Sequence, residues 1–183
     1  ILNDGSLLVW GQNVRRITGD IVVDIFHTDT AFAAILRDGS VATWGDRDYG
    51  GSSRGRGAVR EQLDGRRPRV TDIVSTNSAF AALRENGSVV TWGNDDDGGN
   101  SDGVRDQLAD GVLYIVATGA AFAAVKMDGA VVTWGNPELG GRVSPHRSSL
   151  LQTGVLKIVG GQQAVSFAAV VRGRFRPQIV YWP

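Results

Sequence analysis

The sequence predicts an all-β protein, a partial or small β-propeller of about four blades, and three features predict it. One sentence is written several times over: AFAAILRDGSVATWG from Ala31, AFAALRENGSVVTWG from Ala79, AFAAVKMDGAVVTWG from Ala121, and a worn copy, SFAAVVRGRFRPQIVYW, from Ser166. A period of roughly 40 to 50 residues marks a propeller or solenoid array, whose units must stack to bury their apolar faces. Within each clear copy an Asp-Gly or Asn-Gly pair (Gly39, Gly87, Gly129) separates two β-prone runs, a strong short-range hairpin signal. Tryptophan returns at one place in every copy, as Trp10, Trp44, Trp92, Trp134 and Trp182.

Residues 1–183 read as a single repeat-array domain, with a partial unit over 1–20, units over 21–69, 70–111 and 112–154, and a degenerate cap over 155–183. The chain opens on Ile1 inside a half-copy, ILNDGSLLVWG, which points to sequence upstream. In the unit beginning at Val70, one strand is expected from Val70 to Ser75, a second from Phe80 to Arg84 and a third from Ser88 to Trp92, the last two joined by a two-residue type I′ turn. The corresponding first strands run over 112–117 and 155–160. The run Ser88-Val89-Val90-Thr91-Trp92 is apolar or β-branched on both sides of the pleat, the pattern of a strand covered on both faces. Ala79, Ala81 and Ala82 suit the crowded inner edge of a radial array, and Phe80, like Phe32 and Phe122, supplies the bulk.

After each Trp-Gly comes a Gly-Gly loop and a short segment such as Val104–Leu108, which Ser101 or Asp102 would cap as about one helical turn. This connection varies most in length and is the outer, tolerant one. The first unit has lost most of it. The last unit lacks the Asp-Gly turn and carries Pro177, so both ends have the atypical character of capping units.

Composition removes several functions. Nineteen basic and nineteen acidic residues cancel, which leaves no global field for nucleic acid or an anionic membrane. No cysteine is present, so disulfides and thiolate metal sites are excluded. The apolar run from Val112 to Val125 is shorter than the ~20 residues of a spanning helix. Only His27 and His146 could act as bases near neutral pH, and neither lies in a nucleophile or metal motif. Ser144-Pro145-His146 is a loop tripeptide, and Gly51–Gly57 lacks the Lys-Ser/Thr of a phosphate loop. No enzyme, cofactor or metal site is predicted.

The hairpins resemble the repeats of the regulator of chromosome condensation family, whose signature joins Asp-Gly, a β-branched run and Trp-Gly to a Gly-rich loop. Asp38-Gly39-Ser40-Val41-Ala42-Thr43-Trp44-Gly45 carries that resemblance, which extends over nearly the whole chain. It implies a propeller, seven-bladed in that family. Ala31, Ala79 and Ala121 stand near the position of the family's His, a departure that weakens inheritance of any one partner. The Ala-Phe-Ala-Ala and Asp-Gln-Leu dialect is similar to repeat proteins of algae with complex plastids. A seven-unit ring would need about 300 residues at this period. The given chain is therefore a fragment, an open arc or a small ring of four, and an open arc leaves two unpaired blade faces for a partner to cover.

Each candidate residue has a bland and a functional reading. Trp10, Trp44, Trp92 and Trp134 are blade-packing residues, together with Gly39, Gly87, Gly129, Phe32, Phe80 and Phe122; the alternative, a light-sensing tryptophan cluster, comes from a plant photoreceptor of the family. Asp95-Asp96-Asp97, with Asn100 and Asp102, is a solvated acidic loop or a set of oxygen ligands for a hard cation. Arg54, Arg56, Arg60, Arg66, Arg67 and Arg69 crowd one enlarged connection, and Arg172, Arg174 and Arg176 lie near the end; these basic loops are either ordinary exposed loops or docking contacts for an acidic partner. The functional expectation is a non-catalytic interaction or scaffold module whose partners are protein subunits of a larger assembly, with no direct nucleic acid and any membrane association made through a partner. The algal dialect implies a plastid photosystem assembly. The competing expectations are guanine-nucleotide exchange on a small GTPase with chromatin contact, and the substrate-binding repeats of a ubiquitin ligase.

Overall fold

Apolar β-branched runs broken by Asx-Gly turns fold, in the computed structural model, into four antiparallel three-stranded sheets. Described are residues 7–9, 15–17, 21–53, 57–161, 163–173 and 176–182. Strands β1 (Leu7–Val9) and β2 (Arg15–Ile17) pair with each other. The first sheet comprises β3 (Val22–His27), β4 (Ala31–Leu36) and β5 (Val41–Gly45). The second comprises β6 (Val70–Ser75), β7 (Ala79–Arg84) and β8 (Val89–Gly93). The third holds β9 (Val112–Ala117), β10 (Ala121–Lys126) and β11 (Val131–Gly135). The fourth holds β12 (Val155–Val159), β13 (Phe167–Val171) and β14 (Gln178–Trp182).

The hairpin turn differs from the two-residue type I′ form the sequence predicts. No residue other than glycine has a positive φ among those described, so Asn86 stays right-handed and Gly87 alone is left-handed at +75°. Gly87 N–H donates to the Arg84 carbonyl and Arg84 N–H to that of Ser88. This is a type I turn closed by a glycine bulge. Asn86 Oδ1 accepts the Ser88 amide at 3.1 Å, as Asp38 Oδ1 accepts that of Ser40 at 2.8 Å, and this local bond holds the Asx residue in its right-handed conformation.

The alanine-rich strand is central in its sheet, not at the inner edge. Its small side chains let neighbouring sheets approach both faces at once. Ala79 and Ala81 pack toward the third sheet, whereas Phe80 and Ala82 pack toward the first. The first strands of successive sheets lie against one another, tied by Ser75 Oγ donating to the His27 carbonyl and by Asp29 N–H donating to that of Asn77. The connection after β5 forms helix α1 (Gly57–Gln62), and Ser40 then bridges Asp64 antiparallel, a stub of a fourth strand. The equivalent segment after β8 is a 3₁₀ helix, Asp102–Leu108, which Ser101 precedes without a side-chain cap. No helix among the described residues is long and apolar enough to cross a membrane.

Candidate functional site

Two ends of the array have different chemistry. One carries the hairpin turns, each hydrogen-bonded to the start of the next sheet: the Gly39, Gly87 and Gly129 carbonyls accept the amides of Val70, Val112 and Val155. Of the predicted arginines, Arg66, Arg67, Arg172 and Arg176 lie at this end. Arg66 pairs with Asp64 at 3.3 Å and Arg67 with Glu85 at 3.2 Å, both largely exposed, so part of their charge is neutralised. Arg60 is exposed on α1, and Arg172 and Arg176 are exposed in the hairpin between β13 and β14. Arg69 departs from the docking expectation: its stem packs on Gly39 and its Nε is buried without a hydrogen-bond partner, because it fills the place Gly111 and Gly154 hold in later units. Arg54, Arg56, Arg174 and Trp10 lie outside the described residues.

The opposite end carries the Trp-Gly and Gly-Gly loops, where a repeated contact joins the sheets. Trp92 Nε1 donates to the Gly50 carbonyl at 3.1 Å, Trp134 Nε1 to that of Gly98 at 3.0 Å, and Trp182 Nε1 to that of Gly140 at 3.1 Å. In each case the loop following one sheet is gripped by the Phe–Trp pair of the next. The glycine is left-handed, with φ of +96°, +101° and +107°, and a Cβ on Gly50 or Gly98 would come within 2.6 or 2.5 Å of the Phe80 or Phe122 ring. Phe80–Trp92 and Phe122–Trp134 stack with centroids 5.1 and 5.2 Å apart. Buried threonines fasten the loop from below: Thr28, Thr76 and Thr118 donate to the carbonyls of Tyr49, Asp97 and Leu139 and accept the amides of Ala31, Ala79 and Ala121. Their recurrence three residues before each alanine was a legible signal that the repeat motif, begun at alanine, passes over.

The packing residues are not equally covered. Phe80 and Phe122 are fully buried, and Trp92, Trp134 and Trp182 nearly so. Phe32 is 41% exposed and Trp44 half-buried, although they stack at 5.4 Å, and Trp44 Nε1 has no hydrogen-bond partner among the described residues. Between Gly11 and β3 the sequence has no Gly-Gly pair, and on the same face of the sheet Val22, Ala34 and Leu36 are buried. At the far end Ile179 and Tyr181 are 73% and 65% exposed, and Val159 is also open. Tyr181 occupies the register position of Thr91, whose hydroxyl bonds to the Gly99 carbonyl and Ser101. The Arg147 guanidinium lies 5.4 Å from the Tyr181 ring centre.

The acidic loop is occupied with itself. Asp97 accepts from Ser78, Asn94 Oδ1 accepts the Asp96 amide, and Asp102 pairs with Arg105. No three metal-capable side chains converge among the described residues. His27, the last residue of β3, has its Nδ1 against the Thr28 carbonyl, and His146 lies in the short helix α2 (Pro145–Ser148) ahead of the fourth sheet.

No family model matches the chain, and no curated protein matches it. Solved structures do. The ectodomain of the receptor kinase CR4 from Physcomitrella patens aligns over 96% of this chain and 44% of its own, at TM-score 0.54 and 17% identity. The CRINKLY WD40 ectodomain of Arabidopsis thaliana ACR4 aligns over 90% and 51%, at TM-score 0.54 and 16% identity. Yeast RCC1 (Prp20), solved bound to Kap60, aligns over 84% and 40%, at TM-score 0.53 and 18% identity. The chain spans about half or less of each. Repeated three-stranded sheets, the Trp-to-glycine contacts between them and these likenesses together make the chain a partial propeller of about four blades, whose repeats are similar in fold to those of RCC1.

Proposed function

We propose that the protein is a non-catalytic interaction module, an accessory subunit of a larger protein assembly. The observation that carries this reading is the fold: four three-stranded sheets joined through Trp-to-glycine contacts, an architecture similar to that of the CR4 ectodomain and Prp20. The exposed arginines beside the hairpin turns, Arg66, Arg67, Arg172 and Arg176, with Arg60 on α1, supply a basic contact for an acidic protein surface, and Arg54, Arg56 and Arg174 belong to the same basic runs in sequence. Among the described residues no nucleophile–base pair competes with this reading.

Gentle isolation from the source, sized under native conditions, tests it. The expected result is migration well above the monomer mass with a defined set of co-isolating subunits; a plastid photosystem with its antenna is the assembly the algal dialect favours. Reversing Arg60, Arg66, Arg67, Arg172 and Arg176 to Glu is expected to leave the fold intact and reduce recovery of the partner. Isolation as a free monomer would contradict the proposal.

A second reading, nucleotide exchange on a small GTPase, draws on one likeness: yeast Prp20, whose binding to Gsp1p and histones has been characterised, aligns at TM-score 0.53. Loss of labelled GDP from a small GTPase on addition of this chain would favour it.

A further inference from the structure

Arg84 ends β7, the central strand of the second sheet, and its Nε donates to Ser88 Oγ at 2.8 Å. Half-buried, it lines a cleft between α1, the outer strand β8 and the 3₁₀ helix Asp102–Leu108, whose apolar wall is Val59, Val89, Val90 and Leu108. No ion pair reaches it among the described residues: Glu85 beside it pairs with Arg67, Asp64 with Arg66, and Asp102 with Arg105, which also lines the cleft. Burial alone pushes the Arg84 pKa down, and no neighbouring carboxylate counters it. The other sheets show that the fold does not require a guanidinium at this position, opposite the first residue of each sheet's first strand. Leu36 and Val171 hold it as buried apolar side chains, and Lys126 is satisfied there, donating to the Gln107 carbonyl at 2.8 Å and pairing with Asp110 at 3.8 Å.

The backbone beside Arg84 is open as well. Val89 stands opposite Leu83 on the edge strand β8, as Val41 stands opposite Ile35 on β5. Val41 N–H donates to the Leu63 carbonyl, and Ser40 bridges Asp64, whereas no described residue outside its own sheet bonds to the Val89 amide. We propose that this cleft takes an extended acidic segment of a partner protein, which adds a fourth strand to the second sheet with a backbone carbonyl on the Val89 amide and an aspartate or glutamate on Arg84. This rests on the interaction-module reading and names one contact within it. A bare anion would satisfy the guanidinium and leave the strand edge and apolar wall uncovered; a neutral strand would leave the guanidinium unpaired. Every residue of the cleft lies between Val59 and Ala109, so the site does not depend on where the array starts or stops. The residues just ahead of α1, Arg54-Gly55-Arg56, bring no carboxylate to it.

Selection of displayed random peptides, about eight residues long, on the whole chain tests the proposal. The selected sequences are expected to carry Asp or Glu among alternating β-branched or apolar residues, and Arg84→Leu, which puts the side chain of Leu36 in that place, is expected to lose them. With the strongest such peptide and nitrogen-15-labelled chain, the Val89 amide and Arg84 Nε–H signals are expected to shift saturably. Exchanging the peptide's acid for its amide is expected to weaken binding about tenfold. The Trp92 and Trp134 indole signals report whether Arg84→Leu keeps the fold; if they move, Arg84→Lys carries the comparison, with binding again about tenfold weaker because the fork is lost. The proposal is overturned by selection without acidic preference, by selection unchanged in the variant, or by shifts confined to the hairpin-turn arginines. It is equally overturned by an equal response to inorganic phosphate, by a Val89 amide already as protected from exchange as that of Val41, or by a shift that grows with protein concentration alone and marks a second copy. Co-isolation of a partner through Arg66, Arg67, Arg172 and Arg176 does not involve Arg84, so the two readings fail separately.

Discussion

At the scale of single residues, glycine decides where one sheet can touch the next. Gly98 combines a left-handed backbone with a ring against its Cα, so Gly98→Ala incurs both the penalty for an L-residue in that conformation and overpacking against Phe122. The variant is expected to lose about 2 to 4 kcal/mol in urea unfolding. Gly103→Ala is the matched control. A Cβ there meets nothing within 4 Å, it lies inside a 3₁₀ helix and its φ is not left-handed, so the change is expected to be neutral or stabilising by up to about 1 kcal/mol. Equal losses in the two variants would show that the ring contact does not set the cost. The sequence marks Gly39, Gly87 and Gly129 as turn residues by their Asx neighbours, whereas the clash that fixes Gly98 involves a phenylalanine 24 residues away and is invisible to local pattern.

Between elements, the first strands of the first two sheets bring Asp24 and Asp72 toward each other. Each carboxylate accepts the amide of the residue after it, at the bulge where the register shifts, at 2.8 Å. Partial burial raises the Asp72 pKa above the usual 3.8, against the lowering effect of the Ile73 amide, and the negative charge of Asp24 raises it further. An acid whose pKa is raised on folding binds its proton more tightly in the folded state, so stability falls as pH climbs from 3.8 through the raised value. Asp72→Asn keeps the Oδ1 acceptor and removes the charge. It is expected to melt at a higher temperature than the wild type at pH 7, with the difference vanishing below pH 3.8, where both states of the wild-type carboxyl are protonated. A difference that persists unchanged in acid would point to packing and not charge. The strands themselves were legible, since β-branched runs between Asx-Gly turns admit little else; the bulge was not, because an extra residue in β6 is defined only by its pairing with β7.

For the whole molecule, stability is expected to follow the neighbours each sheet has. The second and third sheets have a described three-stranded sheet against each face, whereas the first and fourth have one against a single face. In a nearest-neighbour array such end units open more readily. Native-state hydrogen exchange is expected to find the slowest amides in β7 and β10, with β4 and β13 opening at least about 1 to 2 kcal/mol more easily. Uniform protection across the four central strands would mean that the array opens as one unit with its ends covered.

The repeat period, the three strands of each unit and the aromatic packing position were written in the sequence, because each follows from residues close together in the chain: an Asx-Gly turn, a β-branched run, a tryptophan at fixed register. Which copies of that position are filled was decided only in three dimensions. Phe32, Phe80 and Phe122 read identically in sequence, yet one is open and two are buried, since burial depends on the loop of a neighbouring sheet and not on the residue itself. Arg69 shows the same divide: its charge belongs to a basic run, while the turn beside it turns its stem into packing. Local pattern fixes what a segment can become, and the surface presented by another segment fixes what it does.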